Sequence, residues 1–105
     1  MLRFHQSNPV KSEKTFEQIY QLAQQGEAQY QYSLGLAYDL GLGVDKDLSK
    51  AFEWYQKSAN QEYAKAQYNL GIFYALAKSV DKDIEQSKLW IRKANENGYS
   101  GGSIF

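Results

Sequence analysis

The chain matches itself when slid by 36 residues. Leu34-Gly35 falls on Leu70-Gly71, Tyr32 on Tyr68, Tyr38 on Tyr74 and Leu40 on Leu76, and Val44-Asp45-Lys46-Asp47 lands on Val80-Asp81-Lys82-Asp83. Trp54 meets Trp90, Lys57 meets Lys93, Tyr63 meets Tyr99, and Ala28 and Gln31 meet Ala64 and Gln67, which makes 14 identities between residues 28–63 and 64–99. The chain has only two tryptophans, and the shift pairs them with each other. A period of this length constrains the fold more than composition does. One unit is too small to bury its own apolar face, so units must stack and share a core with their neighbours.

Each unit reads as two helices. From Ala28 to about Leu40 the apolar positions recur at helical spacing, with Leu34 and Tyr38 one turn apart and no proline to interrupt them. Gly41-Leu42-Gly43 then ends the helix, because glycine enters the left-handed conformation without a Cβ clash. Asp47 and Asp83 are placed to cap the next helices, with Gln86 completing a box-like pattern in the second copy. Those second helices carry stripes of Ala51, Trp54, Tyr55, Ser58 and Ala59, and of Ile84, Ser87, Trp90, Ile91 and Ala94. Residues 13–26 read as a leading helix, since Phe16 and Ala23 stand 36 before Phe52 and Ala59. Residues 1–12 read as irregular. Residues 100–105 read as a glycine- and serine-containing tail whose Ile104 and Phe105 could fold back on the last groove. The expectation is a single repeat domain over 1–105: all-α, a right-handed α-solenoid of antiparallel helix pairs with about five helices.

The motifs of the unit resemble the Sel1-like repeat family, a tetratricopeptide-like α-solenoid. The resemblance rests on Ala28, Leu34-Gly35 with Tyr38, the loop Gly41, Gly43-Val44 and Asp47, and Ala51, Trp54-Tyr55, Lys57 and Ser58-Ala59. It covers residues ~13–99. The second copy departs at Ala77 and Ser79 in the loop, at Ser87 and Asn95 in the second helix, and Glu62 stands where a glycine is usual between units. The resemblance implies an adaptor or scaffold surface for other proteins.

Residues that take protons, attack or coordinate are scarce. The chain has no cysteine, so there is no disulfide framework, thiol nucleophile or Cys-ligated zinc, and a reducing, cytoplasmic setting is expected. Its one histidine, His5, stands in the irregular N-terminal segment with no partner at triad or metal spacing. Asp45, Asp47, Asp81 and Asp83 lack further oxygen ligands at calcium-loop spacing, and Asp47 and Asp83 already have capping work. Gly41-Leu42-Gly43 follows a helix rather than a strand and carries no Lys-Ser/Thr, so it is not a phosphate loop. Twelve basic against twelve acidic residues leave no net field to draw in nucleic acid or an anionic membrane. Neither a signal-like apolar run nor the ~20 apolar residues of a membrane span occurs. No cofactor, metal, nucleic-acid or membrane partner is expected, nor an enzyme.

What remains is a surface. Tyr38, Tyr74, Trp54 and Trp90 recur with the period and read as core. Tyr32 and Tyr68 lie two residues before the buried leucines, about 200° round the helix at ~100° per residue, and so face away from them. The expected protein-binding strip on the concave face is Gln29, Tyr32, Leu36 and Asp39 from one unit and Lys65, Tyr68, Asn69 and Ile72 from the next, with another protein or a peptide segment as partner. Too few basic residues lie there for a carboxylate clamp. Two narrower readings stand beside this one: an inhibitor or immunity protein capping one toxin or enzyme, and, more remotely, a hydrolase using Asp39 or Asp45. Weak self-association through exposed solenoid ends, above all at helix 83–97, is a further expectation.

Overall fold

The computed structural model describes residues 14–100, so His5, Ile104 and Phe105 lie outside the described residues. Five helices follow one another among these residues: α1 (Phe16–Gln24), α2 (Ala28–Leu40), α3 (Leu48–Ala59), α4 (Ala64–Leu76) and α5 (Ile84–Glu96). Each packs on the next, as short connections require. Helices α1, α3 and α5 form one layer, joined where Tyr20 of α1 meets Trp54 of α3 edge-on at 6.1 Å. Helices α2 and α4 form the other, and Asp39 of α2 is tied to Lys78 just beyond α4.

Local chemistry sets the helix ends. Asp47 accepts from the Lys50 amide at 3.1 Å and Asp83 from the Gln86 amide at 3.0 Å, each meeting an orphan donor of the first turn. Thr15 and Gln18 form a reciprocal capping box on α1. At the other end of α2, Gly41 takes φ 72 and the Leu42 amide donates to Ala37 O at 2.9 Å. The second copy repeats this without glycine: Ala77 takes φ 57, Ser79 takes φ 61, and the Lys78 amide donates to Phe73 O at 2.9 Å. Both loops then close with the capping aspartate's own amide on a tyrosine carbonyl, Asp47 to Tyr38 at 2.8 Å and Asp83 to Tyr74 at 3.0 Å. The departures in the second loop thus leave its shape unchanged and load it with left-handed non-glycine residues.

The core runs along the seam between the layers. Leu34, Leu70, Ala51, Ala59 and Ala66 are fully buried there, and Tyr55 and Phe73 are its largest fully buried side chains. Those two rings meet edge-on at 5.4 Å. Of the aromatics expected in the core, only Tyr38 is buried; Tyr74, Trp54 and Trp90 are half-buried. Lys57 lies over the Trp54 ring at 5.7 Å and Lys93 over Trp90 at 5.6 Å, so the conserved-in-register indoles lie at the rim of the outer layer, where a cation covers them.

A pair of glutamines stitches successive units. Gln31 and Gln67, 6% and 0% exposed, donate to Ala23 O at 3.2 Å and Ala59 O at 3.1 Å. Each adds a second donor to a carbonyl at the C-terminal end of the preceding helix, where Ala23 O already accepts from the Gly26 amide and Ala59 O from the Glu62 amide, both at 3.0 Å. Their own amide oxygens accept from Gln61 and Asn97, at 2.8 and 2.9 Å. Among the described residues, the outward side of helix 83–97 is polar rather than apolar as expected. The outward side chains of α5 are Lys88, Arg92 and Asn95, all exposed, where α3 carries Phe52, Gln56 and Ala59.

Candidate binding face

The open side of the α2/α4 layer differs from the expected strip. At ~100° per residue, Gln29, Leu36 and Leu40 fall within roughly 40° of one another on α2, and Lys65, Ile72 and Leu76 do the same on α4. Gln29 and Lys65 are exposed, and Leu36 and Ile72 are half-buried. Leu40 and Leu76 are 61% and 65% exposed, and with Leu42 they are the exposed large hydrophobic residues among those described. The expected strip omitted Leu40 and Leu76. The signal was present: they are identical at the repeat spacing and stand one turn beyond Leu36 and Ile72.

The other expected members turn inward. Asp39 is only 8% exposed; it accepts from the Tyr55 hydroxyl at 3.0 Å and pairs with Lys78 at 3.1 Å. It therefore belongs to the join between units rather than to the face, and its partners are a tyrosine and a lysine rather than the second acid a hydrolase would need. Burial is the main reason that the Tyr55 hydroxyl holds its proton far above the ordinary tyrosine range; Asp39 acts in the same direction, and the Asn69 amide pulls the other way. Tyr32 is half-buried, with its ring 5.4 Å from Tyr63 and 5.9 Å from Tyr55, and its pKa is also raised, chiefly by burial. Tyr68 stacks on Tyr99 at 4.4 Å, and Asn69 lies against the hydroxyls of Tyr32 and Tyr55. These residues still border the face, but their rings and amides mostly join helices.

Two hollows flank the face. Lys65 borders an open one of about 370 Å³ with Asn97, Tyr99 and Ser100. At the opposite end, Leu36 lines an apolar groove of about 390 Å³ between α1, α2 and the loop at Leu42-Gly43. Among the described residues no three His, Cys, Asp or Glu side chains gather to hold a metal ion, and no helix is long and apolar enough to cross a membrane.

Comparison with known proteins agrees with this architecture. The Sel1 repeat profile matches residues 26–63 and again 64–99. A Sel1 repeat protein from Oxalobacter formigenes superposes with a TM-score of 0.77 and 34% identity, over 79% of this chain and 34% of that one. The protein c5321, described as a protective antigen of uropathogenic Escherichia coli strains with an SLR fold, gives 0.79 and 37%, over 83% of this chain and 19% of its own. Helicobacter pylori cysteine-rich protein B gives 0.77 and 26%, over 81% of this chain and 64% of its own. The chain thus spans about a third and a fifth of the first two structures. None of the curated proteins matches it.

Proposed function

The chain belongs to the Sel1 repeat family, and from that premise we propose that it is a non-catalytic adaptor that binds a segment of another protein across the α2/α4 layer. Repeats of this family generally mediate contacts between proteins. The observation that carries the reading is the doubled apolar pair, Leu36 with Leu40 and Ile72 with Leu76, at the same register on both helices of one layer and left open to solvent at Leu40 and Leu76. Large apolar side chains held in register on a rigid scaffold favour partner burial at little ordering cost. Gln29 and Lys65 at the other end of the strip supply polar contacts and set the direction of a bound segment.

The test compares affinity capture by the native chain, by a Leu40→Glu/Leu76→Glu variant and by an Arg92→Glu control on the far face of α5. Both leucines are exposed, so the double variant keeps the native melting temperature. Proteins captured by the native chain and the control, and lost from the double variant, are the expected result. An unchanged set of captured proteins would show that the strip is not the binding face.

A further inference from the structure

The turn after each helix of the α1/α3/α5 layer recurs in register, as Gln25-Gly26, Gln61-Glu62 and Asn97-Gly98, with its second residue left-handed at φ 95, 66 and 93. Only the last copy joins an asparagine to a glycine, and none of Asn8, Asn60, Asn69 and Asn95 precedes one. That pair is reactive for a steric reason. A backbone nitrogen can attack the side-chain carbonyl of the residue before it, and asparagine has the length that closes a succinimide ring. Glycine leaves the approach clear because it has no Cβ. A glutamine must close a larger and less favourable ring, and at Gln61 the side chain of Glu62 also stands beside the attacking nitrogen.

We propose that Asn97 is a site of spontaneous deamidation, held in check by Glu62 and Gln67, and that its conversion irreversibly loosens the contact between the end of α5 and the start of α4. The step consumes only water. The Gly98 nitrogen gives its proton to solvent hydroxide and bonds to Asn97 Cγ, and the Cγ–Nδ2 bond breaks with loss of ammonia. Water then opens the ring at either carbonyl, leaving aspartate or isoaspartate. Asn97 and Gly98 are both exposed, so solvent reaches them. The native turn opposes each movement that the step needs. Asn97 Nδ2 donates to Glu62 Oε1 and to Gln67 Oε1, both at 2.9 Å. The Gly98 amide donates to Asn95 O at 3.1 Å, and a ψ of 17° at Asn97 turns the Gly98 nitrogen away from the Asn97 side chain. Once formed, a carboxylate at this position cannot remake the turn. It has no proton to donate, and it leaves the fully buried Gln67 with an unsatisfied oxygen. Asn97 and then Gln67 hold the Glu62 carboxyl below its ordinary range, so at neutral pH it faces the new carboxylate as a like charge. The added charge also sits at the unfavourable end of the α5 dipole.

The test ages three samples side by side in warm neutral buffer: the native chain, a Glu62→Ala variant, and the native chain unfolded in guanidinium chloride. Glu62→Ala keeps a Cβ on the left-handed residue, so the backbone demand of the turn is unchanged. Peptide mapping by mass spectrometry follows the amide-to-acid mass gain at every asparagine, and Asn97 is expected to convert first in all three. Relative to the folded native chain, the rate should rise about threefold to tenfold in Glu62→Ala, which releases one hydrogen bond, and further on unfolding. Hydrogen exchange reads the consequence. Asn97→Asp should speed exchange at the Gly98 and Tyr99 amides, which donate to Asn95 O and Ala94 O. Asn95→Asp, which adds the same charge to the outward side of α5, should not. An Asn97 that stays intact in the unfolded chain, equal rates in the three samples, a slower rate in Glu62→Ala, or equal exchange in the two aspartate variants would each overturn the proposal.

Discussion

Gly35 and Gly71 sit at the same place in the two repeats yet press against different side chains. A Cβ on Gly35 would stand 2.5 Å from the Tyr55 ring, whereas one on Gly71 would stand 2.7 Å from the terminal methyl of Ile91. The first repeat closes on a ring held on three sides, by Gly35, by Phe73 edge-on and by a hydroxyl bond to Asp39. The second closes on a flexible aliphatic chain, and Ala75 replaces the aspartate. Other polar details follow the same direction. Ser87 occupies the place of Ala51 with a buried hydroxyl that has no hydrogen-bond partner, and Ala77 and Ser79 occupy the places of two glycines. One backbone is therefore kept twice, tightly specified at the junction between units and more loosely at the C-terminal pair. Among the described residues the first repeat packs against helices on both sides and the second against a helix on one, and each unit is shaped by the neighbours it has.

The comparison is broken most sharply at the two glycines. Gly35→Ala should lower stability by about 2 kcal/mol, since the wedged Tyr55 ring, 2.5 Å from the added Cβ, puts overpacking at the upper end of its range, roughly 3, less the ~1 that alanine returns as the better helix former. Gly71→Ala should lower it by about 1 kcal/mol, because the Ile91 side chain can turn aside and only the Ser87 carbonyl oxygen, 3.1 Å from the added Cβ, has to give. Urea titration of both variants measures the contrast, and equal losses would mean that ring and aliphatic chain constrain the helices alike.

Next comes Tyr55→Phe, which removes the hydroxyl bond to Asp39 but leaves the ring and the Lys78 pair, with a loss of about 1 kcal/mol at neutral pH. The same residue sets an alkaline limit. Its folded-state pKa is raised above the ordinary 10.0, so its contribution is fully present below that pH. As pH rises further, the unfolded chain gives up the proton while the folded one keeps it, and stability falls. Tyr32 adds to the fall in the same sense. Melting curves across this range should fall less steeply for Tyr55→Phe than for the native chain, and parallel curves would mean that Tyr55 does not carry the effect.

A gain is expected at Ser87→Ala, which restores the residue that the first repeat uses and removes an unpaired buried hydroxyl, worth about 1 kcal/mol. A loss there would require a hydrogen bond that the structure does not contain. The smallest effect lies in the loop. Ala77→Gly relieves a left-handed alanine, a strain of roughly 1–2 kcal/mol, against the entropy that glycine loses on folding, roughly 0.5–1. A net gain of about 0.5 kcal/mol should follow, whereas Gly41→Ala in the first repeat should lose a comparable amount. Equal and opposite shifts in the two loops would sharpen the view that they share one shape under different strain.

Much of the architecture was legible without coordinates because its signals are local. The 36-residue period, the helix stops at Gly41 and the caps at Asp47 and Asp83 depend on residues within a few positions of each other, and the structure repeats them faithfully. The face was legible only in part. Leu36 and Ile72 are half-buried, and Asp39 lies about 60° round α2 from Leu36 at ~100° per residue, close enough that periodicity alone cannot place it in or out. Its direction is decided by Tyr55, 16 residues later, and Lys78, 39 residues later. The tryptophans read correctly only in part: their recurrence marks a repeated environment in which one side of the indole packs against the core while a lysine covers the ring.

The sequence by itself therefore determined the number of units, the two-helix form of each and the turns between them, since hydrogen-bond caps, glycine geometry and helical period act over one or two turns of chain. Only the tertiary structure decided which aromatic ring is buried, why Gln31 and Gln67 recur, and which end of the stack is left apolar. Those outcomes depend on what lies across a helix interface, and side chains meet there by packing and desolvation rather than by proximity along the chain.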